Sequence, residues 1–568
     1  MMLVFLHGIR MDFSMAGYYS LFPGLLFSLG FFLTGKRIWP IWLGYHAIVL
    51  FITTFIIILD FELYKHWGFR LDPTPLMYIG KEAAGSGDFW QTVFLICYWL
   101  VMFTASVFAF YKYFKKKILA LPETDWKSLP SILFATVLFI IPIRGSFGVA
   151  PMNSGFVYFH EKKMFANHSA VNVVWNFLYA VQKMSKLKYA DNYFDREETE
   201  KIFARILPAA DSSRKLLNTD TPNIIVIAME SFTSGFIEPL GGLPGITPRF
   251  NQFVRDGILF DHFYSSGDRT DKGIVAILNG YPSQPLTSII KEPRRTKSVP
   301  YLNKEFKKRG YRTEFTYGYN INYANFNSYL IHAEFDHVTH SADFPQELNT
   351  SKWGVHDEFV FAKFFEECEQ ASSPFFKVMM TQSSHEPFDV PMKTVIEGKD
   401  EIHQFLNSAY YADQQVGIFI DKAKASAWWQ NTLLVITADH GHLYPNNPGV
   451  SNPDRFKIPM LWLGGALNVT DTVIHSVGCQ TDIPNTILGQ FGMDDSEFKF
   501  GQNMLGSPLN PFAVYVYNNG FGMIKPDRLF VFDNVSGSII QQEGNVQDND
   551  LSEGKAFIQM LYWDFNSR

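Results

Sequence analysis

The groups best able to do chemistry in this chain stand at the ends of apolar runs. Thr270 lies in FYSSGDRTDKGIVAILNGY (Phe263–Tyr281), where a polar stretch gives way to the helical pattern Ile274, Val275, Ile277 and Leu278. Its hydroxyl is thereby placed at a helix N-terminus, where unpaired backbone N–H groups and the positive end of the helix dipole suit an anion. A plain cap is the ordinary use of such a threonine. Three other runs end in reactive groups: NIIVIAM in Glu230-Ser231, LLVIT in Ala438-Asp439-His440-Gly441-His442, and FFKVMM in Thr381-Gln382-Ser383-Ser384-His385. Glu230, Asp439 and His440 offer carboxylate oxygens and an imidazole nitrogen, a mixed set suited to Mn2+ or Zn2+. A threonine hydroxyl beside such an ion loses its proton near neutral pH and attacks an electrophile such as phosphorus. Arg269, Lys272 or the helix amides would hold the remaining oxygens. His442 is an additional imidazole beside this set, open to a second-ion or acid/base role.

These groups need a scaffold that brings strand ends together. Beyond Pro222, strand-type runs at Asn223–Met229, Tyr311–Tyr317, Phe375–Met380 and Thr432–Thr437 alternate with helical segments at Val299–Arg309, Glu358–Cys368 and Ser408–Ala425. Such alternation predicts an α/β domain whose mostly parallel sheet is covered on both faces and binds ligands beyond the carboxyl ends of its strands. From Pro511 to Ile540, alternation broken by Asn518-Asn519-Gly520 and Val535-Ser536-Gly537 predicts a small antiparallel sheet. A helix is expected over Asn485–Phe491, with Asp482 as a cap rather than a ligand.

The front of the chain reads differently. Of 568 residues, 47% are hydrophobic and only 18% charged, and the apolar excess is concentrated before residue 150. Four stretches, Gly17–Leu33, Ile38–Leu59, Trp90–Phe110 and Leu129–Ile143, approach or reach the roughly 20 residues that cross a bilayer. Lys36-Arg37 and the cluster Lys112, Lys115, Lys116 and Lys117 put the two loops that carry them in the cytoplasm. Everything after Arg144 then lies outside, as does Met1–Ser14. No signal peptide is evident, so the expectation is a multi-pass protein of the cell membrane. Three regions follow: a transmembrane helical region over 1–147, connector helices over 148–221 (His168–Lys188 and Arg196–Ala210 have helical periodicity), and an outer catalytic domain over 222–568.

A net charge of -6, without a basic face in the second half, argues against a nucleic-acid partner. Cys97, Cys368 and Cys479 are far apart and show neither metal-ligand spacing nor a disulfide framework.

The ordered set MES, GDRTDKG, KWGVHDEF, QSSHEPF, ITADHGH and VGCQTDIPNT resembles the lipoteichoic acid synthase and phosphoglycerol transferase branch of the sulfatase/alkaline phosphatase superfamily. The resemblance implies an alkaline phosphatase/sulfatase-like outer domain and a covalent intermediate on Thr270. Glu230, Thr270, Asp439 and His440 would ligate one ion, Mn2+ in the lipoteichoic acid branch, with Zn2+ or Mg2+ as alternatives. Trp353 and His385 match positions that hold the glycerol-phosphate head group, with Asp357 as a companion. The implied donor is phosphatidylglycerol in the membrane, and the acceptor is a glycan, a growing polymer or another lipid. In the same comparison HGIRMDFS reads as an outer loop, implying one more span ahead of it. A phosphodiesterase or phosphatase would share the threonine intermediate. A sulfuric ester hydrolase would need a Cys or Ser in a C/S-x-P-x-R run, and Ser283-Gln284-Pro285-Leu286-Thr287 lacks the arginine.

Overall fold

The computed structural model describes residues 1–568 except 29–33, 69, 72–88, 122–125, 146–151, 153–156, 158, 161–162, 185–191, 292, 322–323 and 325. It forms two compact units, Met1–Lys188 with Val535–Ser538, and Tyr189–Asn534 with Ile539–Arg568.

In the first unit the long helices are Met2–Ser28, Gly35–Trp67 and Phe89–Leu119. Among the described residues, two are long and apolar enough to cross a membrane: Gly35–Lys65 and Trp90–Leu119, whose apolar windows are only 17% and 0% buried within the chain. Leu129–Arg144 is apolar but shorter. Two of the four expected spans therefore meet the requirement. The first expected span is the second half of Met2–Ser28, with 29–33 outside the described residues. Met1–Ser14, expected as an outer loop, is helical from Met2 onward. Its polar residues make contacts that a local reading could not supply: Ser14 Oγ donates to the Ile143 carbonyl at 2.9 Å, and Asp12 accepts from Asn172 at 2.7 Å. The expected helix His168–Lys188 appears as Val173–Met184, preceded by the turnlike helix Met164–Ala170; residues 185–188 fall outside the described set.

The second unit is built on an eight-stranded sheet. Its strands, in chain order, are β1 (Asn223–Met229), β2 (Ile258–Phe260), β4 (Arg312–Tyr317), β5 (His337–His340), β6 (Phe375–Met380), β7 (Thr432–Ala438), β8 (Met460–Leu463) and β9 (Thr472–Ile474). Two short strands, β3 (Phe263–Tyr264) and β10 (Gly478–Cys479), pair separately. The large sheet runs β9-β2-β8-β7-β1-β6-β4-β5. Every residue of the central strands β1, β6 and β7 is buried, which explains why they read as mostly apolar runs rather than alternating ones; the exception within β6, Lys377, is paired with Glu314. The sheet is mixed: β8 lies antiparallel to both β2 and β7, while the other pairs are parallel. The expected helices appear at Leu302–Lys308, Asp357–Glu369 and Glu401–Lys424; the last starts earlier than expected because Asp400 caps it by accepting from His403 N.

The tail forms a four-stranded antiparallel sheet of Ala513–Tyr517, Gly520–Lys525, Arg528–Asp533 and Ser538–Glu543. The helix Asp548–Ser567 follows and packs on Arg196–Ile206, where Gln559 Nε2 reaches Thr199 at 3.1 Å.

Candidate active site

The site grows from the carboxyl ends of neighbouring parallel strands. β1 pairs with β7 through Met229↔Ala438, so the next residues, Glu230 and Asp439, emerge side by side. β6 flanks β1 on the other side and leads into Thr381–His385. At the turn out of β1, Ser231 takes φ 54, a left-handed conformation rare for a residue with a side chain, and one that clusters at functional sites. Backbone bonds hold that turn: Glu230 N donates to Thr381 Oγ1 at 2.8 Å, Ser231 N donates to Asp439 Oδ1 at 2.8 Å, and Ser384 Oγ donates to the Glu230 carbonyl at 2.6 Å.

Thr270 is the first residue of the helix Thr270–Asn279, and its Oγ1 donates to Glu230 Oε2 at 3.2 Å. The helix can approach this closely because its fourth residue is Gly273. A Cβ there would overlap the Asp439 carbonyl oxygen and lie 2.6 Å from the Asp439 carbonyl carbon. Gln480 ties the assembly together: its amide nitrogen donates to the Ala438 and Asp439 carbonyls at 2.8 and 2.7 Å, and its oxygen accepts from Ser266 N at 3.0 Å.

Glu230, Asp439 and His440 each bring a ligand atom to within 4.8 Å of the others. His440 Nε2 lies 3.5 Å from Glu230 Oε1 and 3.7 Å from Asp439 Oδ2. Its Nδ1 faces the Gly441 carbonyl at 2.8 Å, an acceptor only, so Nδ1 carries a hydrogen and Nε2 is turned to the carboxylates. Burial, reinforced by the Glu230 charge, pushes Asp439 up. Burial opposes the charge on His440, but Asp439 and Glu230 outweigh it and raise its pKa. Burial likewise opposes ionisation of Glu230, and the hydrogen bond from His440 with the charges of His385 and His440 brings it down. The cluster thus attracts positive charge. Asp439 Oδ1 accepts two backbone N–H groups, whereas its buried Oδ2 has no hydrogen-bond partner. A buried acceptor left open beside a second carboxylate and an oriented imidazole fits a divalent cation.

The other expected residues divide. His385 lies close enough for its charge to act on Glu230, and its ring packs on Trp353 with centroids 4.4 Å apart. Trp353 also donates from Nε1 to the Glu386 carbonyl. Its loop is clasped to the end of β4 by the bond from Val355 N to the Gly318 carbonyl at 2.9 Å. His442 stacks on Phe405 with centroids 4.2 Å apart, and its Nδ1 accepts from Tyr444 N at 3.0 Å. Burial, then the charges of His440 and Arg455, pushes its pKa down to about 3, which keeps it neutral.

Two of the expected residues have buried partners within the chain. The Asp357 carboxylate is fully buried and accepts from Gln382 N at 2.9 Å and Ser383 N at 3.3 Å. It thereby shapes the segment before His385. Lys272 is buried and paired with Asp268 at 3.0 Å. Asp268 is buried too, yet Lys272, Arg455 and Arg269 hold it ionised. Arg269, in extended backbone at φ -150, is the residue before the helix. Sequence reasoning gave no role to Gln480, Gly273, Ser231 or Asp268; only the glycine within the first turn of a helix was a local sign.

Three comparisons bear on this architecture. Residues 222–493 match the family described as Sulfatase, and the second unit has an alkaline phosphatase/sulfatase-like fold. Among curated proteins, the chain is similar to the lipoteichoic acid synthase-like YvgJ of Bacillus subtilis, 22% identical over 319 residues that cover 51% of each chain. It is also similar to phosphoglycerol transferase I of Escherichia coli, 25% identical over 234 residues, 38% of this chain and 30% of that one. The chain thus spans about half the length of the first of these relatives and less of the second. Among solved structures, a protein in the alkaline phosphatase superfamily from Vibrio parahaemolyticus matches with a TM-score of 0.58 at 24% identity, covering 66% of this chain and 97% of that one. The lipoteichoic acid synthase LtaP from Listeria monocytogenes matches with a TM-score of 0.54 at 17% identity, covering 65% and 97%.

Proposed function

We propose that the chain is a metal-dependent transferase that moves a phosphoglycerol-type head group from a phosphatidylglycerol-like membrane lipid, through Thr270, to an envelope acceptor. The observation that carries this reading is the Thr270 hydroxyl, held 3.2 Å from Glu230 at a helix N-terminus, beside a buried cluster whose Asp439 Oδ2 has no partner. The names of the relatives support the same chemistry.

Glu230, Thr270, Asp439 and His440 would hold one divalent ion, Mn2+ in this reading, with Zn2+ or Mg2+ as alternatives. When bound, such an ion lowers the pKa of the threonine hydroxyl and offsets charge on the transferring group. The rest follows from the chain's own groups. Thr270 Oγ1, whose proton is directed at Glu230 Oε2, attacks phosphorus; the bond from phosphorus to the diacylglycerol oxygen breaks, and that oxygen leaves and takes up a proton. An acceptor hydroxyl then attacks the same phosphorus, the Thr270–phosphorus ester breaks, and the threonine oxygen regains a proton. The amides at the start of Thr270–Asn279 face the anionic group, while Trp353 and His385 bound the head group. With water as acceptor the same steps give a phosphodiesterase. A sulfuric ester hydrolase is disfavoured, since threonine cannot form the formylglycine that such enzymes use. Gly35–Lys65 and Trp90–Leu119 support a membrane anchor, with the catalytic domain on the extracytoplasmic side, where donor lipid and a glycan, polymer or lipid acceptor meet.

The test is incubation of full-length protein in detergent with fluorescent phosphatidylglycerol, with and without Mn2+. Metal-dependent release of diacylglycerol is expected, together with a phosphoglycerol adduct in intact-mass spectra that disappears in Thr270→Ala. An adduct that persists in Thr270→Ala refutes the nucleophile. Absence of lipid cleavage combined with activity on sulfate esters refutes the reaction class.

A further inference from the structure

We infer that the second unit carries another transition-metal site, formed by Asp261, His262 and His475, which takes Zn2+ and clamps the two chain segments that support the catalytic loop. These residues take no part in the Glu230–Asp439–His440 cluster. The inference is independent of the reaction proposed above.

The site arises from a mismatch between two parallel arms. β2 pairs with β9 as far as Phe260↔Ile474, and β3 pairs with β10 from Phe263↔Gly478. Between these ladders one arm contains two residues, Asp261 and His262, and the other contains three, His475, Ser476 and Val477. Backbone bonds close both ends of the gap: Asp261 N donates to the Ile474 carbonyl at 3.3 Å, and Gly478 N to the His262 carbonyl at 3.0 Å. The arms are fixed on either side, and the side chains project at the break. Both histidines turn the same nitrogen, Nδ1, toward one carboxylate. His262 Nδ1 is 2.7 Å from Asp261 Oδ1, and His475 Nδ1 is 2.7 Å from Asp261 Oδ2. One ligand atom from each of the three residues lies within 4.8 Å of the others.

Two imidazoles and a carboxylate are a common protein ligand set for zinc, with a water or other donor in the fourth position. Bonds of about 2.0–2.1 Å in tetrahedral geometry separate ligand atoms by about 3.3 Å, so the hydrogen-bonded pairs need open by only roughly 0.6 Å to admit the ion. The Asp261 side chain is 21% exposed, His262 44% and His475 75%, giving the ion an entry path and room for a water. To bind, each imidazole is neutral with its hydrogen on Nε2, so that Nδ1 offers its lone pair to the ion.

The location gives the site its consequence. The first arm continues through β3 to Ser266, whose N–H is held by Gln480 Oε1. The second continues through β10 to Gln480 itself, whose amide nitrogen holds the Asp439 carbonyl. A cation at the break joins these arms just ahead of the residues that fix the approach to Thr270.

The test uses full-length protein in detergent bearing Asp439→Asn and His440→Ala, which disable the catalytic cluster. The protein is stripped with chelator and dialysed against Zn2+, and bound zinc is counted by inductively coupled plasma mass spectrometry. One zinc per chain is expected, falling to none when His262→Ala and His475→Ala are added, and also with the single change His475→Gln. X-ray absorption on the parent protein requires no substitution at the new site and should show two imidazoles on zinc. An all-oxygen shell, no bound zinc in the parent, or uptake that survives loss of both histidines overturns the inference.

Discussion

Replacing Gly273 by alanine tests whether the active site depends on close approach between a helix and a strand end. The helix Thr270–Asn279 ordinarily favours alanine: away from other contacts, Gly→Ala in a helix interior stabilises by about 1 kcal/mol. Here the added Cβ would overlap the Asp439 carbonyl oxygen and sit 2.6 Å from its carbonyl carbon and 3.0 Å from its Cα, all backbone atoms at the end of a buried strand. Ordinary carbon–carbon contact is about 3.5–4.0 Å, so the helix must retreat by about 1 Å. Thr270 is one turn away on the same rigid element and moves with it, away from Glu230. A displacement of about 1 Å in a reacting group costs on the order of 100-fold in rate, and overpacking costs about 1–3 kcal/mol of stability, outweighing the helix-propensity gain. The assay is phosphoglycerol adduct formation on Thr270 by intact mass over time, alongside the thermal unfolding midpoint in detergent. A Gly273→Ala protein that is as stable as the parent or more so, and forms adduct at the parental rate, refutes the reasoning.

Other outcomes follow from the same geometry. Gln480→Leu keeps the volume but leaves Ser266 N without its acceptor and the Asp439 carbonyl without a donor, at about 1–3 kcal/mol per group left unsatisfied. A lower unfolding midpoint and slower adduct formation are expected, and unchanged values for both would rule out a positioning role. Glu230→Gln removes a charge from the cluster and keeps one of the two oxygens that accept from Thr270 and Ser231. Equilibrium dialysis should show Mn2+ affinity reduced by more than the roughly 10–100-fold cost of losing an outer-shell partner. Dialysis against a chelator should abolish adduct formation by the parent protein, with activity restored by added Mn2+. Burial raises Asp413 to about 7 from its ordinary 3.8, although Arg249 N and Phe250 N both donate to it. Because its folded pKa lies above its unfolded one, Asp413 contributes its full stability below about pH 4. That contribution falls as pH rises to about 7 and is constant beyond, a change of at most roughly 4 kcal/mol. Asp413→Asn removes this dependence, so the difference in unfolding midpoint between variant and parent should grow from pH 4 to 7; a difference independent of pH contradicts the assignment.

Much of the second unit was legible because its information is local. NIIVIAM, FFKVMM and TLLVITA are mostly apolar, as strands buried on both faces must be, with Lys377 buried in the second and paired with Glu314; the first charged or imidazole residues after the runs fall at the sheet edge where parallel strands end. The polar-to-apolar change at Thr270 marks a helix start in the same way. The short strands β2, β5, β8 and β9 gave no such signal, because three or four residues carry too little periodicity. The antiparallel direction of β8 could not be read from Met460–Leu463, because strand direction depends on partners distant in the chain.

The sequence by itself determined which residues could be reactive and at which end of the sheet they would appear, since both follow from residue type and from the period of the backbone. Only the tertiary structure decided which partner each one meets. Glu230 and Asp357 are both buried carboxylates near strand or helix ends. One faces Thr270 and His440, while the other is consumed by the N–H groups of Gln382 and Ser383. Lys272, chemically fit to hold a phosphate, is neutralised by Asp268, and Gln480 holds the strand end carrying Asp439 from more than forty residues away. The physical reason is that an ion pair or hydrogen bond between residues far apart in the chain is fixed by packing of the whole core, and no local pattern encodes it.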